Sequence, residues 1–194
     1  MLIVFGGSFN PPTIAHYEIA RHILNTLACE EFFFLPVGNQ YPKAHLIEAE
    51  HRINMLELVC GHLEKASVCS LEVNASKVLT SFETLSLLQK QYPEKEIGFV
   101  IGADNLEDLP NWVQVDDLMC HFKLIVFRRD DINVDEIIKT LFHAYQDRFI
   151  VLDSFGKMDV SSTQYRNDLA NHELVLKEVD DYVKMHHLYG RGER

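Results

Sequence analysis

The chain has little positive charge. Its 194 residues include 18 Lys and Arg against 29 Asp and Glu, which gives a formal net charge of −11 at pH 7. A protein that grips a nucleic-acid backbone needs a basic face, so this balance argues against nucleic acid as a partner. An anionic ligand would depend on a few local cations, which gives weight to the basic side chains near the motifs below.

Long apolar runs and closely spaced cysteines are also missing. No apolar run reaches the roughly 18 residues of a membrane helix, and no signal peptide precedes Leu2. We therefore expect a cytoplasmic chain with no membrane partner, folded as a single domain over residues 1–194. The four cysteines form no Cys-x-x-Cys pair, so we predict reduced thiols and no protein-held metal.

Strand-like and helix-like runs alternate from end to end. Short apolar runs predict strands at residues 2–5, 32–37, 67–73, 97–101, 124–127 and 149–152. Helical periodicity predicts helices at about 14–28, 48–62, 81–91, 134–145, 162–170 and 174–186. This alternation predicts an α/β fold, a single doubly wound parallel sheet with helices on both faces. Ligands of such sheets bind beyond the carboxyl ends of the strands.

The first seventeen residues carry the strongest local signal. The strand at 2–5 meets Gly6 and Gly7 directly, an Asn-Pro-Pro turn follows, and a helix begins near Thr13 with His16 on its first turn. Glycine allows close approach of a ligand, and a helix N-terminus attracts anions, so this order suits a nucleotide phosphate. His16 is placed to donate a hydrogen bond to it. The alternative is a helix capped by Thr13 with a surface histidine.

A second hydroxyl-rich helix start follows near the end of the chain. Ser161, Ser162 and Thr163 are followed by Arg166, which shares a helix face with Thr163. Hydroxyls, exposed N–H groups and a guanidinium together predict a second anion site. The alternative is a simple helix cap.

These two motifs resemble a known family. Gly6-Gly7-Ser8-Phe9-Asn10-Pro11-Pro12-Thr13-Ile14-Ala15-His16 resembles the opening motif of nucleotidyltransferases with a (His/Thr)-x-Gly-His signature, with Ala15 in the place of Gly. It is most similar to that of the nicotinate/nicotinamide mononucleotide adenylyltransferases. The run from Val160 to Arg166 is similar to their Ile-Ser-Ser-Thr-x-Ile-Arg, and the likeness continues to Tyr189, where the family ending looks like core packing.

The resemblance implies a Rossmann-like nucleotidyltransferase fold and an activity. The expected reaction is adenylyl transfer from ATP to nicotinate mononucleotide, giving deamido-NAD and pyrophosphate, with Mg²⁺ bound through the ATP phosphates. The implied catalytic residues are His16, Lys43 and Arg166. The implied ATP-binding residues are Gly6, Gly7, Ser8, Phe9, Thr13, His16, Gly102, Asp104, Ser161, Ser162, Thr163 and Arg166.

The resemblance also implies a binding site for the mononucleotide. Each residue implied there could instead have a purely structural role. The implied residues are Lys43, Ser81, Thr84, Trp112 and Arg128. Lys43 would otherwise lie in a solvated connector, Ser81 and Thr84 in a helix cap, Trp112 in the core, and Arg128 in a charged surface turn.

Asp104, Arg52 and the acceptor substrate can also be interpreted in more than one way. Asp104 would otherwise cap a helix, and Arg52 is either a phosphate-site cation or a structural residue. Nicotinamide mononucleotide, another phosphate acceptor such as phosphopantetheine, and a non-catalytic nucleotide-binding protein stay open as alternatives. A homo-oligomer also stays open.

Overall fold

The computed structural model describes residues 1–128, 131–156 and 160–190. Within these ranges six strands form one parallel sheet in the order β3-β2-β1-β4-β5-β6. The strands are β1 Leu2–Gly7, β2 Glu31–Pro36, β3 Ala66–Val68, β4 Ile97–Ile101, β5 Lys123–Phe127 and β6 Phe149–Leu152. This all-parallel order confirms the predicted doubly wound sheet.

Helices cover both faces of the sheet. They are α1 Ile14–Thr26, α2 Ala49–Cys60, α3 Ser81–Gln91, α4 Val115–His121, α5 Val134–Leu141, α6 Ser162–Asn167 and α7 Lys177–Met185. Short 3₁₀ turns lie at Ala103–Asn105, Leu109–Asn111, His143–Arg148, His172–Leu174 and Leu188–Gly190. None of the helices in the described ranges is long and apolar enough to cross a membrane.

Alternate side chains of the central strand feed two separate cores. Ile3 and Phe5 pack with buried residues of α1, α2, α6 and α7, whereas Leu2 and Val4 pack with those of α3, α4 and α5. Because successive side chains of a strand point to opposite faces, one buried strand supports both layers.

The third predicted strand is too long. β3 ends at Val68, and the chain turns where the Asn74 N–H donates to the Ser70 carbonyl oxygen. β3 is an edge strand that pairs only with residues 32–34 of β2, so the apolar residues beyond it pack as a turn rather than as a strand.

Some predicted helices also differ from the structure. α4 was not predicted, because Asp116 and Asp117 in its first turn break the apolar pattern, although Leu118 and Met119 are buried. α5 and α6 end earlier than predicted, at Leu141 and at residue 167, and α7 begins three residues later. Of the residues predicted as helical but found outside these helices, 143–145 and 174 lie in 3₁₀ turns and 169–170 lie in another turn.

The strand order reverses between β1 and β4. Chain segments at the carboxyl ends of the strands gather at this edge: the glycine loop (residues 6–12), which includes the last two residues of β1, residues 37–48 after β2, and Gly102 after β4. Such a switch point leaves a crevice, which is the expected ligand site of a doubly wound sheet.

Candidate active site

The first turn of α1 fixes the orientation of the His16 ring. Thr13 is the N-cap residue, and its backbone N–H donates to His16 Nδ1 at 2.9 Å, with Thr13 Oγ1 2.8 Å from the same nitrogen. A ring nitrogen that accepts an N–H carries no hydrogen itself, so the neutral ring bears its hydrogen on Nε2. His16 is therefore a hydrogen-bond donor through Nε2.

The surroundings of His16 keep its ring uncharged. Phe5 and Phe9 lie against it, with ring centroids at 5.8 Å and 5.1 Å. Burial, and to a lesser extent the charge of Lys43, lower the pKa of His16 from 6.5 to about 4. At neutral pH the ring therefore donates a hydrogen bond without carrying a positive charge.

The two glycines of the loop pack tightly against aromatic rings. A Cβ on Gly6 would lie 3.0 Å from the Phe99 ring, and one on Gly7 would lie 3.0 Å from the Phe9 ring. Phe9 is buried and has a left-handed backbone with φ of 45°. Any contact of Phe9 with a nucleotide would thus be made by its backbone. The close approach of a phosphate to Gly6 and Gly7 stays a prediction.

Two cations converge on the glycine loop. Lys43 Nζ donates to Ser8 Oγ at 2.9 Å, and Arg166 Nη1 donates to the Asn10 carbonyl oxygen at 2.6 Å. The pKa of Lys43 is lowered by burial and by the charge of Arg166, so the two cations feel each other. Within the described ranges neither pairs with a carboxylate, which leaves a positive site suited to phosphate.

The start of α6 is tied to the glycine loop. Ser162 Oγ donates to the Pro11 carbonyl oxygen at 2.8 Å, and Arg166 Nη2 donates to Thr163 Oγ1 at 3.0 Å. Ser161 is the N-cap and forms a capping box with Gln164. The structure thus brings both predicted anion motifs together, while the hydroxyl of Ser161 also serves the capping role.

Arg52 lies fully buried beneath the loop. Its guanidinium donates to the carbonyl oxygens of Ile47 at 3.0 Å and Ser8 at 3.2 Å, with Asn39 Oδ1 at 3.5 Å. These contacts join the glycine loop to the segment after β2. They correspond to the structural reading of Arg52.

A cleft of about 160 Å³ opens beside His16 at the switch point. We call it the switch-point cleft; it is lined by Phe5, Ala15, His16, Ile19, Val100, Ile101, Gly102, Ala103, Asp104, Phe127 and Val160. Gly102 is the residue that caps the 3₁₀ turn, so the reading of Asp104 as the cap is wrong. A Cβ on Gly102 would collide with Asp104 Oδ1. Apolar walls with one carboxylate suit a nucleoside.

The residues predicted for the mononucleotide are more dispersed. Thr84 is buried and donates to Glu72 Oε1 at 2.8 Å, and Ser81 begins α3 behind the capping box of Thr80 and Glu83. Trp112 is partly buried at the end of a 3₁₀ turn and packs against the core on the α3 face. Their roles in binding stay predictions.

Arg128 is held by two carboxylates. Its guanidinium binds both oxygens of Asp135 at 2.8 Å and Asp153 Oδ1 at 2.7 Å, which raises its pKa. These ion pairs are the ones expected if Arg128 lies in a charged surface turn, which is the alternative reading of this residue. These bonds use three of the five guanidinium N–H groups, and the role of Arg128 in binding stays a prediction.

A second cleft, also of about 160 Å³, lies where the loop after β2 meets the segment before α3. It is lined by Gly38, Asn39, Gln40, Tyr41, Glu72, Val73, Ala75, Lys77, Val78 and Leu79. Burial raises the pKa of Glu72, which accepts the Thr84 hydrogen bond there. Tyr41 and Leu79, which line this cleft, each lie two residues before a predicted mononucleotide-binding residue, Lys43 and Ser81.

Two residues at the site were not recognised from the sequence. Asn10 belongs to the predicted turn, yet it is fully buried and hydrogen-bonded to three other segments: the segment after β2, α6 and the turn Leu188–Gly190. Tyr189 was read as core packing, yet its hydroxyl reaches Asn10. The position of Asn10 before two prolines is a signal in the sequence that could have identified it. No sequence signal indicates the role of Tyr189.

The described residues contain no cluster of three or more His, Cys, Asp or Glu side chains that could hold a metal ion. The donors beside the phosphate site are cations and hydroxyls.

Sequence comparison identifies the family. A family model described as cytidylyltransferase-like matches residues 4–168. A curated protein from Acholeplasma laidlawii, named "Probable nicotinate-nucleotide adenylyltransferase", is 31% identical over 191 residues, with 97% of each chain covered. The chain belongs to the nicotinate-nucleotide adenylyltransferases of this family. The family and the nucleotidyltransferase class predicted from the motifs are therefore confirmed.

Solved structures share the fold of this nucleotidyltransferase. A Plasmodium falciparum nicotinic acid mononucleotide adenylyltransferase complexed with NaAD has a TM-score of 0.83 at 20% identity, covering 97% of this chain and 96% of that one. A second structure of that enzyme, complexed with APC, has a TM-score of 0.80 at 19% identity and the same coverage. These matches confirm the Rossmann-like fold.

Proposed function

We propose that this nucleotidyltransferase transfers AMP from ATP to nicotinate mononucleotide, giving deamido-NAD and pyrophosphate. The observation that carries the proposal is the neutral His16 donor, which lines the switch-point cleft, together with the cations Lys43 and Arg166 on the glycine loop, which have no carboxylate partner in the described ranges. The name of the Acholeplasma relative and the NaAD complex of the Plasmodium enzyme support the choice of acceptor. We assign this activity to one domain over residues 1–194.

The reaction is an in-line displacement at the α-phosphorus of ATP. A phosphate oxygen of the mononucleotide forms the new P–O bond, and the bond to the bridging oxygen of the β-phosphate breaks as pyrophosphate leaves. Little acid–base chemistry is needed, so catalysis is positioning and charge stabilisation. His16 Nε2–H donates to an oxygen of the transferring phosphate, where negative charge is concentrated.

The cations act on the leaving group. Lys43 and Arg166 offset the charge that grows on pyrophosphate, with Ser8, Thr13 and Thr163 as neutral partners. The backbone of Gly6, Gly7 and Phe9 and the start of α6, with Ser161 and Ser162, complete the phosphate site. Mg²⁺ bound to the ATP oxygens would supply further charge neutralisation.

The nucleosides occupy the two clefts. Gly102 and Asp104 face the adenosine in the switch-point cleft, the carboxylate suiting ribose hydroxyls or an exocyclic amine. We assign the mononucleotide to the side of Lys43, Ser81 and Thr84, with Trp112 stacking on the pyridine ring. Arg128 would contribute a cation to this site while it stays paired with Asp135 and Asp153.

The experiment compares turnover with binding in His16→Ala. Deamido-NAD formation from ATP and nicotinate mononucleotide is measured chromatographically, and ATP affinity by calorimetry. We expect a loss of kcat on the order of a hundredfold or more, with ATP affinity largely retained. A wild-type protein that binds ATP but forms no dinucleotide would instead support the non-catalytic nucleotide-binding alternative.

A further inference from the structure

We propose that Tyr189 is a positioning residue of the ATP phosphate site, acting through Asn10 on Arg166; this inference rests on the proposed function. Tyr189 lies in the turn Leu188–Gly190, and its hydroxyl donates to Asn10 Oδ1 at 2.9 Å. The two residues are 179 positions apart in the chain. The turn after α7 therefore reaches back to the glycine loop at the opposite end of the sequence.

Asn10 is the residue through which this contact can act. It is fully buried, its amide donates to the His45 carbonyl oxygen at 2.8 Å, and its side-chain oxygen also accepts from the Ile47 N–H at 3.4 Å. The Asn10 carbonyl oxygen accepts the 2.6 Å hydrogen bond from Arg166. A shift of Asn10 would therefore move the anchor of Arg166, and with it a cation of the phosphate site.

The backbone conformation of Tyr189 indicates that this residue does more than pack in the core. Its φ of 59° lies in the left-handed region, which is unfavourable for a bulky aromatic residue, and the flanking His187 and Gly190 also have positive φ. Such strain persists where surrounding contacts hold it, and it often marks functional positions. Here the strained turn directs a partly buried phenol onto Asn10 rather than into solvent.

The same part of the chain offers a matched control. Tyr182 on α7 is also partly buried, and its hydroxyl is 3.0 Å from both His51 Nδ1 and Asn54 Nδ2 on α2. It shares the chemistry of Tyr189 and joins the C-terminal part to the rest of the fold, but it does not contact the glycine loop. Tyr182→Phe and Tyr189→Phe each remove one hydroxyl and keep the ring.

The test compares kinetics and stability in these two variants. We expect Tyr189→Phe to raise KM for ATP and lower kcat, together by about tenfold in kcat/KM, while the urea midpoint falls no more than in Tyr182→Phe. Tyr182→Phe should retain wild-type kinetics. Wild-type kinetics in Tyr189→Phe, or equal kinetic losses in both variants, would overturn the proposal.

A double-mutant cycle tests the route through Arg166. In an Arg166→Ala background, the added Tyr189→Phe change should leave ATP affinity within twofold, because the group it positions is gone. The same fold loss as in the wild-type background would contradict the route. This cycle is measured by calorimetry of ATP binding, without an acceptor. The role of Tyr189 can therefore be tested even if nicotinate mononucleotide is not the acceptor.

Discussion

The protonation of His16 should couple folding to pH in a defined direction. In the folded chain the pKa of His16 is about 4, against an ordinary value of 6.5. As the pH falls, the unfolded chain takes up this proton first, so the group's contribution is present above 6.5 and is lost as the pH falls towards 4. The full difference corresponds to about 3 kcal/mol in the free energy of unfolding.

The assay is urea unfolding of the wild type and of His16→Gln at about pH 7 and about pH 4.5. The wild type should lose about 2.5 kcal/mol more than the variant between these two conditions. The comparison removes the contributions of the carboxylates, which both proteins share. His143→Gln, at an exposed position, controls for loss of an imidazole elsewhere.

Nitrogen NMR of the folded chain measures the protonation state of the two His16 ring nitrogens directly. We expect Nδ1 of His16 unprotonated and Nε2 protonated at neutral pH, because the Thr13 N–H donates to Nδ1. A ring that titrates near 6.5, a hydrogen on Nδ1, or an equal pH-dependent loss of stability in His16→Gln would refute the reasoning.

Four further substitutions test three separate parts of the site. Lys43→Gln removes one unpaired cation and should lower kcat/KM on the order of a hundredfold, whereas Ser8→Ala, which removes only its neutral partner, should cost less than tenfold. Arg52→Met leaves buried carbonyl oxygens without a donor and should lower the free energy of unfolding by about 3 kcal/mol in urea, and an unchanged midpoint would contradict its structural role. Gly102→Ala displaces the Asp104 carboxylate and should weaken ATP binding roughly tenfold in calorimetry with little change in thermal midpoint; unaltered affinity would remove Asp104 from the nucleotide site.

The fold was predictable because its signals are local. β1, β4 and β5 are short apolar runs whose burial follows from composition, and the alternation with helices predicts their parallel order. β3 and α4 were less predictable, since an edge strand ends where its partner ends and a short helix with two aspartates shows no clear periodicity.

The site was predictable where neighbouring residues carry it. Thr13 and His16 lie one turn apart, and so do Thr163 and Arg166, so their contacts follow from helix geometry. The bond between Tyr189 and Asn10 depends on the whole fold, and no pattern in the sequence announces it. The ion pairs of Arg128 likewise depend on where α5 and the segment after β6 meet β5.

The most direct test of the proposed function is pyrophosphate release from ATP and Mg²⁺ with nicotinate mononucleotide or nicotinamide mononucleotide supplied separately. We expect rapid turnover with the nicotinate form and weak turnover with the nicotinamide form. Turnover with neither, by folded protein that still binds ATP, would contradict the assignment of a pyridine mononucleotide as the acceptor.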